Sequence, residues 1–350
     1  MNSTIKKTIY YFLVTLLFIN CSDDENAEEN TTIADPPIVY TVGFEHNENN
    51  INTAKIWVNG IEESLTNGNY SSLANSIFVS NNDVYVAGRD SNETFNSIAT
   101  LWKNGVATYL SNETNESGSA NSVFVSNNNV YVAGEVIFEN TNNSQVVLWN
   151  NGVPTNISNN NNHEIARSLF VDEEDIYLAG YGFENDIPIA KVWKNGNVTN
   201  LTDGLNHAHA NDVKVHNNDV YVVGYDSEGL NNRTAKLWLN GETIDLSDGT
   251  YDAWAESIFI YENDVYIIGS GNYPNEEELV KVWKNGEAII LTEGTGIVRA
   301  TSIYIYEGDI YVAGYEIIDA VFRIKVWKNG QTISSTEGSN YASPLSIFVK

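Results

Sequence analysis

The chain has 350 residues, with 18 Lys plus Arg against 46 Asp plus Glu and a formal net charge of −28 at neutral pH. So acidic a chain, with no Lys/Arg cluster, disfavours nucleic acid as a partner, because phosphate recognition needs a basic footprint, and it disfavours an anionic membrane surface as well. A single Cys excludes an internal disulfide.

Residues 1–20 stand apart from the rest of the chain. Lys6 and Lys7 precede an apolar run from Ile9 to Ile19, too short for a mature membrane span and of the make-up of a secretory h-region. The lone Cys21 comes directly behind this signal peptide. Residues 21–37 are polar, begin with Ser22-Asp23-Asp24-Glu25 after the Cys and end in Pro36-Pro37, as a flexible acidic tether does. Removal of the leader takes Lys6 and Lys7 away, leaving 16 basic and 46 acidic residues, a formal charge of −30. That charge favours solubility and carries no information on fold.

From residue 38 onward one phrase occurs seven times. Its first half is Ser76-Ile77-Phe78-Val79, a polar turn, then Val84-Tyr85-Val86-Ala87-Gly88; its second half is Leu101-Trp102-Lys103-Asn104-Gly105. The Tyr falls at Tyr40, Tyr85, Tyr131, Tyr177, Tyr221, Tyr266 and Tyr311, a period of about 45 residues. The Trp comes behind it at Trp57, Trp102, Trp149, Trp193, Trp238, Trp283 and Trp327. Each unit reads as four strands, A to D. A and B are joined by a turn of hairpin length, and Asn-Gly turns C into D, because a type I′ hairpin needs positive φ at both central residues. Strands A and B are apolar at successive positions, which implies burial on both faces.

Four-stranded sheets buried on both faces stack radially, and units of 40–50 residues fit a propeller blade. The chain opens on strand B at Ile38-Val39-Tyr40 and ends on strand A at Ser346-Ile347-Phe348-Val349. The expected fold is therefore all-β: a seven-bladed β-propeller of four-stranded antiparallel blades over residues 38–350. Closure comes from the C-terminal strand pairing with the N-terminal blade, which removes the open edges.

Both short turns of a blade fall at one end, so the long B-to-C and D-to-A connections fall at the other, where a binding site is expected near the central channel. Two positions just before each strand A Ser vary while the scaffold repeats. They hold Leu73, Ser119, Ile165, His209, Trp254, Arg299 and Ser343, and then Asn75, Asn121, Arg167, Asn211, Glu256, Thr301 and Leu345. The candidate ligand-binding residues are Arg167, His207, His209, Asn211, Trp254, Glu256 and Arg299. Trp254, the one Trp outside the repeat, is expected exposed in a D-to-A loop, able to stack on a sugar. The aromatics behind the strand B Gly, such as Phe44, Tyr181, Tyr225 and Tyr315, belong to the same face. His163, His207 and His209 are expected in loops, with nothing in their spacing that demands a metal. Asp212 and Lys214 break the repeat, and the Lys must pair with an acid or reach a wet channel. No cofactor motif or catalytic signature is present.

The tandem Tyr-Val-Ala-Gly and Trp-Lys-Asn-Gly phrases resemble the repeat propellers of bacterial secreted and surface proteins. They are distantly similar to kelch propellers, with Ala87-Gly88 where kelch carries a double Gly. Phe18-Ile19-Asn20-Cys21 resembles a bacterial lipobox, which implies lipid on Cys21, and Ser22-Asp23-Asp24-Glu25 resembles the acidic export tag of surface lipoproteins in some Gram-negative bacteria. The resemblance implies an outer-membrane lipoprotein exposed at the cell surface and, as the first expectation, a monomeric, non-catalytic binder of an extracellular glycan or protein. One alternative is a propeller polysaccharide lyase, with His207 or His209 as base and Arg299 on a uronate carboxylate. The other is a structural surface protein without a pocket.

Overall fold

The computed structural model describes residues 36–350 except 95, 112–115, 139–142, 159–162, 228–231, 273–278, 292–296 and 339–340. Cys21, the leader and most of the tether lie outside the described residues.

Seven four-stranded antiparallel sheets are present, each made of strands consecutive in the chain except the first. There, Ala342–Val349 lies beside Val39–His46, with Asn52–Val58 and Ile61–Ser64 next outward. The pairing runs from Val39↔Val349 to Glu45↔Ala342, so the C-terminal strand is the innermost strand of blade 1. Ile38 and Lys350 exchange both backbone hydrogen bonds at the base of this seam, at 2.7 and 3.0 Å. Blades 2 to 7 come in chain order, with innermost strands Leu73–Ser80, Glu116–Ser126, Glu164–Asp172, His207–His216, Ala253–Tyr261 and Ile297–Tyr306.

The repeated residues hold the blades together. Trp102, Trp149, Trp193, Trp238, Trp283, Trp57 and Trp327 are all buried. Trp238 packs with Val213, Val215 and Val222 of its own blade against Tyr177, Ala179 and Leu201 of the preceding one. Each indole contributes on the order of 4 kcal/mol of gross apolar transfer energy. The Asn-Gly turns have the positive φ the hairpin needs, as at Asn104 (50°) and Gly105 (79°). The turn Asn also ties the hairpin to strand B: Val84 N–H donates to Asn104 Oδ1 and Asn104 N–H to the Val84 carbonyl, both at 2.8 Å. Lys103 sits on Asp83 at 2.7 Å in the same corner, which is why Lys and Asp recur there.

A second set of bonds runs around the channel. The hydroxyl of a strand A Ser accepts the N–H of the residue after the Ser in the next blade: Ser346 from Ile77, Ser76 from Val123, Ser122 from Leu169, Ser168 from Val213 and Ser302 from Ile347, at 3.1–3.4 Å. Asp212 takes this place in blade 5 and accepts from Ile258 at 3.0 Å. The recurring Ser is thus a stitch between blades.

Candidate functional site

Every innermost strand slips register at one point. The pairing skips Asn75, Asn121, Arg167, Asn211, Glu256 and Thr301 in blades 2 to 7, and Leu345 in blade 1. These are the second variable position of the repeat, and each is the extra residue of a β-bulge. A bulge re-aims its side chain, and here all seven point at the axis, lining one cavity of about 930 Å³. The bulge also explains the strand B Gly. A Cβ on Gly43, Gly88, Gly134, Gly180, Gly224, Gly269 or Gly314 would stand 1.9–2.1 Å from the carbonyl oxygen of the residue two before the bulge.

The bulge leaves a backbone carbonyl to be satisfied, and the neighbouring blade supplies the donor. Asn75 Nδ2 donates to the Ala120 carbonyl (3.0 Å), Asn121 Nδ2 to Ala166 (2.8 Å) and Asn211 Nδ2 to Ala255 (2.8 Å). Asn211 therefore has its amide occupied, and its Oδ1 accepts from Arg167 Nη1 at 2.8 Å. Arg167 and Glu256 line the cavity with it, so three of the seven candidates come together.

The other four do not line it. His207 and His209 lie within an innermost strand, and so does Trp254, where loops were expected, because the strands of blades 5 and 6 begin earlier than the Ser-Ile-Phe-Val phrase alone indicates. Trp254 is 5% exposed instead of presented to solvent. Two guanidiniums already lie over its ring, Arg233 at 4.0 Å and Arg299 at 5.3 Å, so no sugar can stack there without displacing them. These contacts belong to a longer ladder: Arg167 over Tyr181 (5.7 Å), Tyr181 on His209 (3.9 Å), His209 on Tyr225 (5.0 Å), and Arg233 over Tyr225 (5.4 Å) and Trp254. It runs from blade 4 to blade 7 and is pinned by Asp252, which takes two bonds from Arg233 at 2.8 and 2.5 Å.

His209 is correspondingly unsuited to act as the base of a lyase. Burial, with Arg167, His207 and Arg233 nearby, pushes its pKa down to about 3. Among the described residues its buried Nδ1 has no hydrogen-bond partner, and Arg299 stands with it outside the cavity lining. Ser144 and His163 meet at 2.9 Å, yet Ser144 is fully buried and donates to the Glu164 carbonyl, so this pair is no nucleophile either.

Two lining residues were missed in the sequence, Arg89 and Glu135. Both come directly after the strand B Gly, the position scanned for aromatics only. Read as a column, it holds Phe44, Arg89, Glu135, Tyr181, Tyr225, Ser270 and Tyr315. Glu135 bonds Asn121 through Oε2, and burial pushes its carboxyl up to about 7 against the opposing pull of that bond, Arg89 and Arg167. Burial also raises Glu256, opposed by Arg167, a bond from Trp254 and the more distant Arg233 and Arg299.

Deeper in the channel, Phe78, Phe124, Phe170, Phe259, Tyr304 and Phe348 meet at tilted to edge-on angles around the axis, with neighbouring centroids 4.7–5.4 Å apart. Lys214 stands in the gap with Nζ 2.9 Å from Asp212. Asp212 accepts five hydrogen bonds, from Ser168, Val213, Lys214, Ser257 and Ile258. The pair is thus bonded and channel-lining at once. Asp212→Ala is expected to cost about 2 kcal/mol, below the value for a fully buried pair because Lys214 keeps partial solvent access. The double change Asp212→Ser with Lys214→Phe restores the repeat residues and is expected to lose under about 1 kcal/mol. Urea unfolding of both variants checks this.

No family model matches the chain, and no curated protein matches it. Among solved structures, the β-propeller domain of the Trilobed protease from Pyrococcus furiosus is similar at 10% identity, with a TM-score of 0.53 over 87% of this chain and 95% of that one. That domain is described as having an open velcro topology; in the present chain the innermost strand of blade 1 comes from the C-terminus. A puromycin-hydrolyzing peptidase from Mycobacterium tuberculosis matches at 10% identity and a TM-score of 0.48, over 73% of this chain, which spans only 45% of that one. YjhT matches at 10% identity and a TM-score of 0.40, over 75% of this chain and 97% of that one. The likeness establishes the fold: the chain is a seven-bladed β-propeller.

Proposed function

We propose that this chain is a binding protein carried at the outer cell surface on a lipid at Cys21, and that an extracellular glycan or protein segment enters its channel from the long-loop face. The observation that carries the reading is the cavity of about 930 Å³, a volume within the range of small-ligand sites and lined by bulge-borne side chains that vary while the scaffold repeats. A pocketless structural role leaves that cavity without purpose. Arg167 replaces Trp254 at the centre of the reading, since the Trp faces are already occupied.

The test is an array of extracellular glycans and proteins probed with the full chain and with Arg167→Ala. A ligand that binds above background and loses at least about tenfold in the variant is the expected result. An array without hits, or hits that Arg167→Ala leaves unchanged, would remove the binding reading. Lipid labelling of the wild type that disappears in Cys21→Ser is expected in parallel; an unlabelled wild type removes the anchor.

A further inference from the structure

The propeller neutralises its cations locally. Nine Lys residues, one example being Lys191 on Glu164 at 2.7 Å, sit in ion pairs, and Arg233 sits on Asp252 at 2.5 Å. Arg89 and Arg167 stand outside these pairs, as Arg323 does, but these two are the Arg residues that line the cavity. Among the described residues neither side chain has a carboxylate within ion-pair distance, the Arg89 guanidinium makes no hydrogen bond, and that of Arg167 spends one on the neutral amide of Asn211. Arg89 is part-buried and Arg167 is exposed, and both line the same cavity. In a chain of charge −28, two guanidiniums facing one concavity, neither in an ion pair among the described residues and both acted on from beyond that distance by Glu135, are candidates to hold an anion.

We propose that this cavity holds the carboxylate of an acidic saccharide between Arg89 and Arg167, and that Glu135 controls how tightly it is held. The inference rests on the binding reading above and adds the ligand class. A carboxylate suits the guanidinium fork, and its single charge suits a cavity whose walls also carry Glu135 and Glu256; a phosphate dianion meets more repulsion there. The hydroxyls of Ser76 and Ser122, which accept one backbone N–H each and keep their own O–H to donate, line the same space and offer partners to sugar hydroxyls.

Glu135 is faced by Asn121 and Ser119 from the innermost strand of its own blade and by Arg89 from blade 2. Arg167 and Tyr181 of blade 4 act on it from the other side, and Val146, opposite it on strand C, does not titrate. When ionised, Glu135 competes with a bound carboxylate for both Arg residues. When protonated, it leaves them to the ligand and adds a donor. Burial pushes its carboxyl up to about 7, so affinity for an acidic saccharide is expected to rise as pH falls through that value, until the ligand itself protonates.

Calorimetric titration of the full chain with trigalacturonate, and with the same oligomer reduced to the neutral sugar, tests this. Trigalacturonate is expected to bind about tenfold more tightly at about pH 6 than at about pH 8, and the reduced oligomer at least about tenfold more weakly than the acid. Arg89→Gln is expected to lose at least about tenfold; as the Arg89 side chain makes no hydrogen bond among the described residues, the variant keeps the wild-type melting temperature. Glu135→Gln keeps the bond with Asn121 and is expected to bind at about pH 8 as the wild type does at about pH 6, with no slope between. Equal affinity for the two oligomers, full binding by Arg89→Gln, or a surviving slope in Glu135→Gln overturns the assignment. Absence of trigalacturonate binding overturns it too, whereas the binding reading itself falls only with the array.

Discussion

Deleting residues 342–350 is expected to leave a chain without a cooperative thermal transition. The deletion removes one of the 28 described strands, but that strand serves two interfaces at once. It supplies the inner pairing of blade 1, from Val39↔Val349 to Glu45↔Ala342, and it buries Ile347 and Val349 against Tyr311, Ala313 and Val326 of blade 7. Ala342 adds to the contact of Trp57 with Ile324 at the same junction. Without it, Val39–His46 becomes an open edge, the blade 7 face is uncovered, and Ser302 and Ile77 lose their stitch partners. Far-UV circular dichroism during heating reads the result directly. A truncated chain that melts cooperatively within a few degrees of the intact protein would show that the seam is dispensable.

Gly134→Ala is the point substitution with the largest expected effect, a loss of about 4 kcal/mol or failure to fold. The new methyl would lie 1.9 Å from the Ser119 carbonyl oxygen and 3.0 Å from the Ala120 Cα. Both are backbone atoms held by the bulge that aims Asn121 into the channel, so relief means straightening the bulge itself. Gly105→Ala is the matched control. That Gly sits in an Asn-Gly turn at φ +79° with nothing within 4 Å of its missing Cβ, so the substitution brings left-handed strain alone, about 1 kcal/mol. Denaturant unfolding of the two variants separates close approach from conformational strain. Equal losses would mean that the strand B Gly is a turn-like requirement and not a consequence of the bulge.

The candidate site was half legible. Comparing the seven copies picked out the column from Asn75 to Leu345, because a scaffold position that changes freely is one the fold does not need. That Arg167, Asn211 and Glu256 share a cavity comes from their common bulge. Trp254 and His209 were misjudged because a residue before the Ser-Ile-Phe-Val phrase reads as a loop, while strand pairing carries on past the bulge by several residues. Arg89 and Glu135 escaped because their position was scanned for aromatic rings and not for charge.

What residue order alone determined is the ring: a period of about 45, turns that demand Asn-Gly, one Trp per unit, and ends that complete each other. These are local or repeated signals, and seven copies make them redundant. Which side chains meet at the axis, and that two guanidiniums arrive there without an ion pair among the described residues, was decided only in three dimensions. Neighbouring bulges lie about 45 residues apart in the chain, and only closure of the ring brings them within reach of one another.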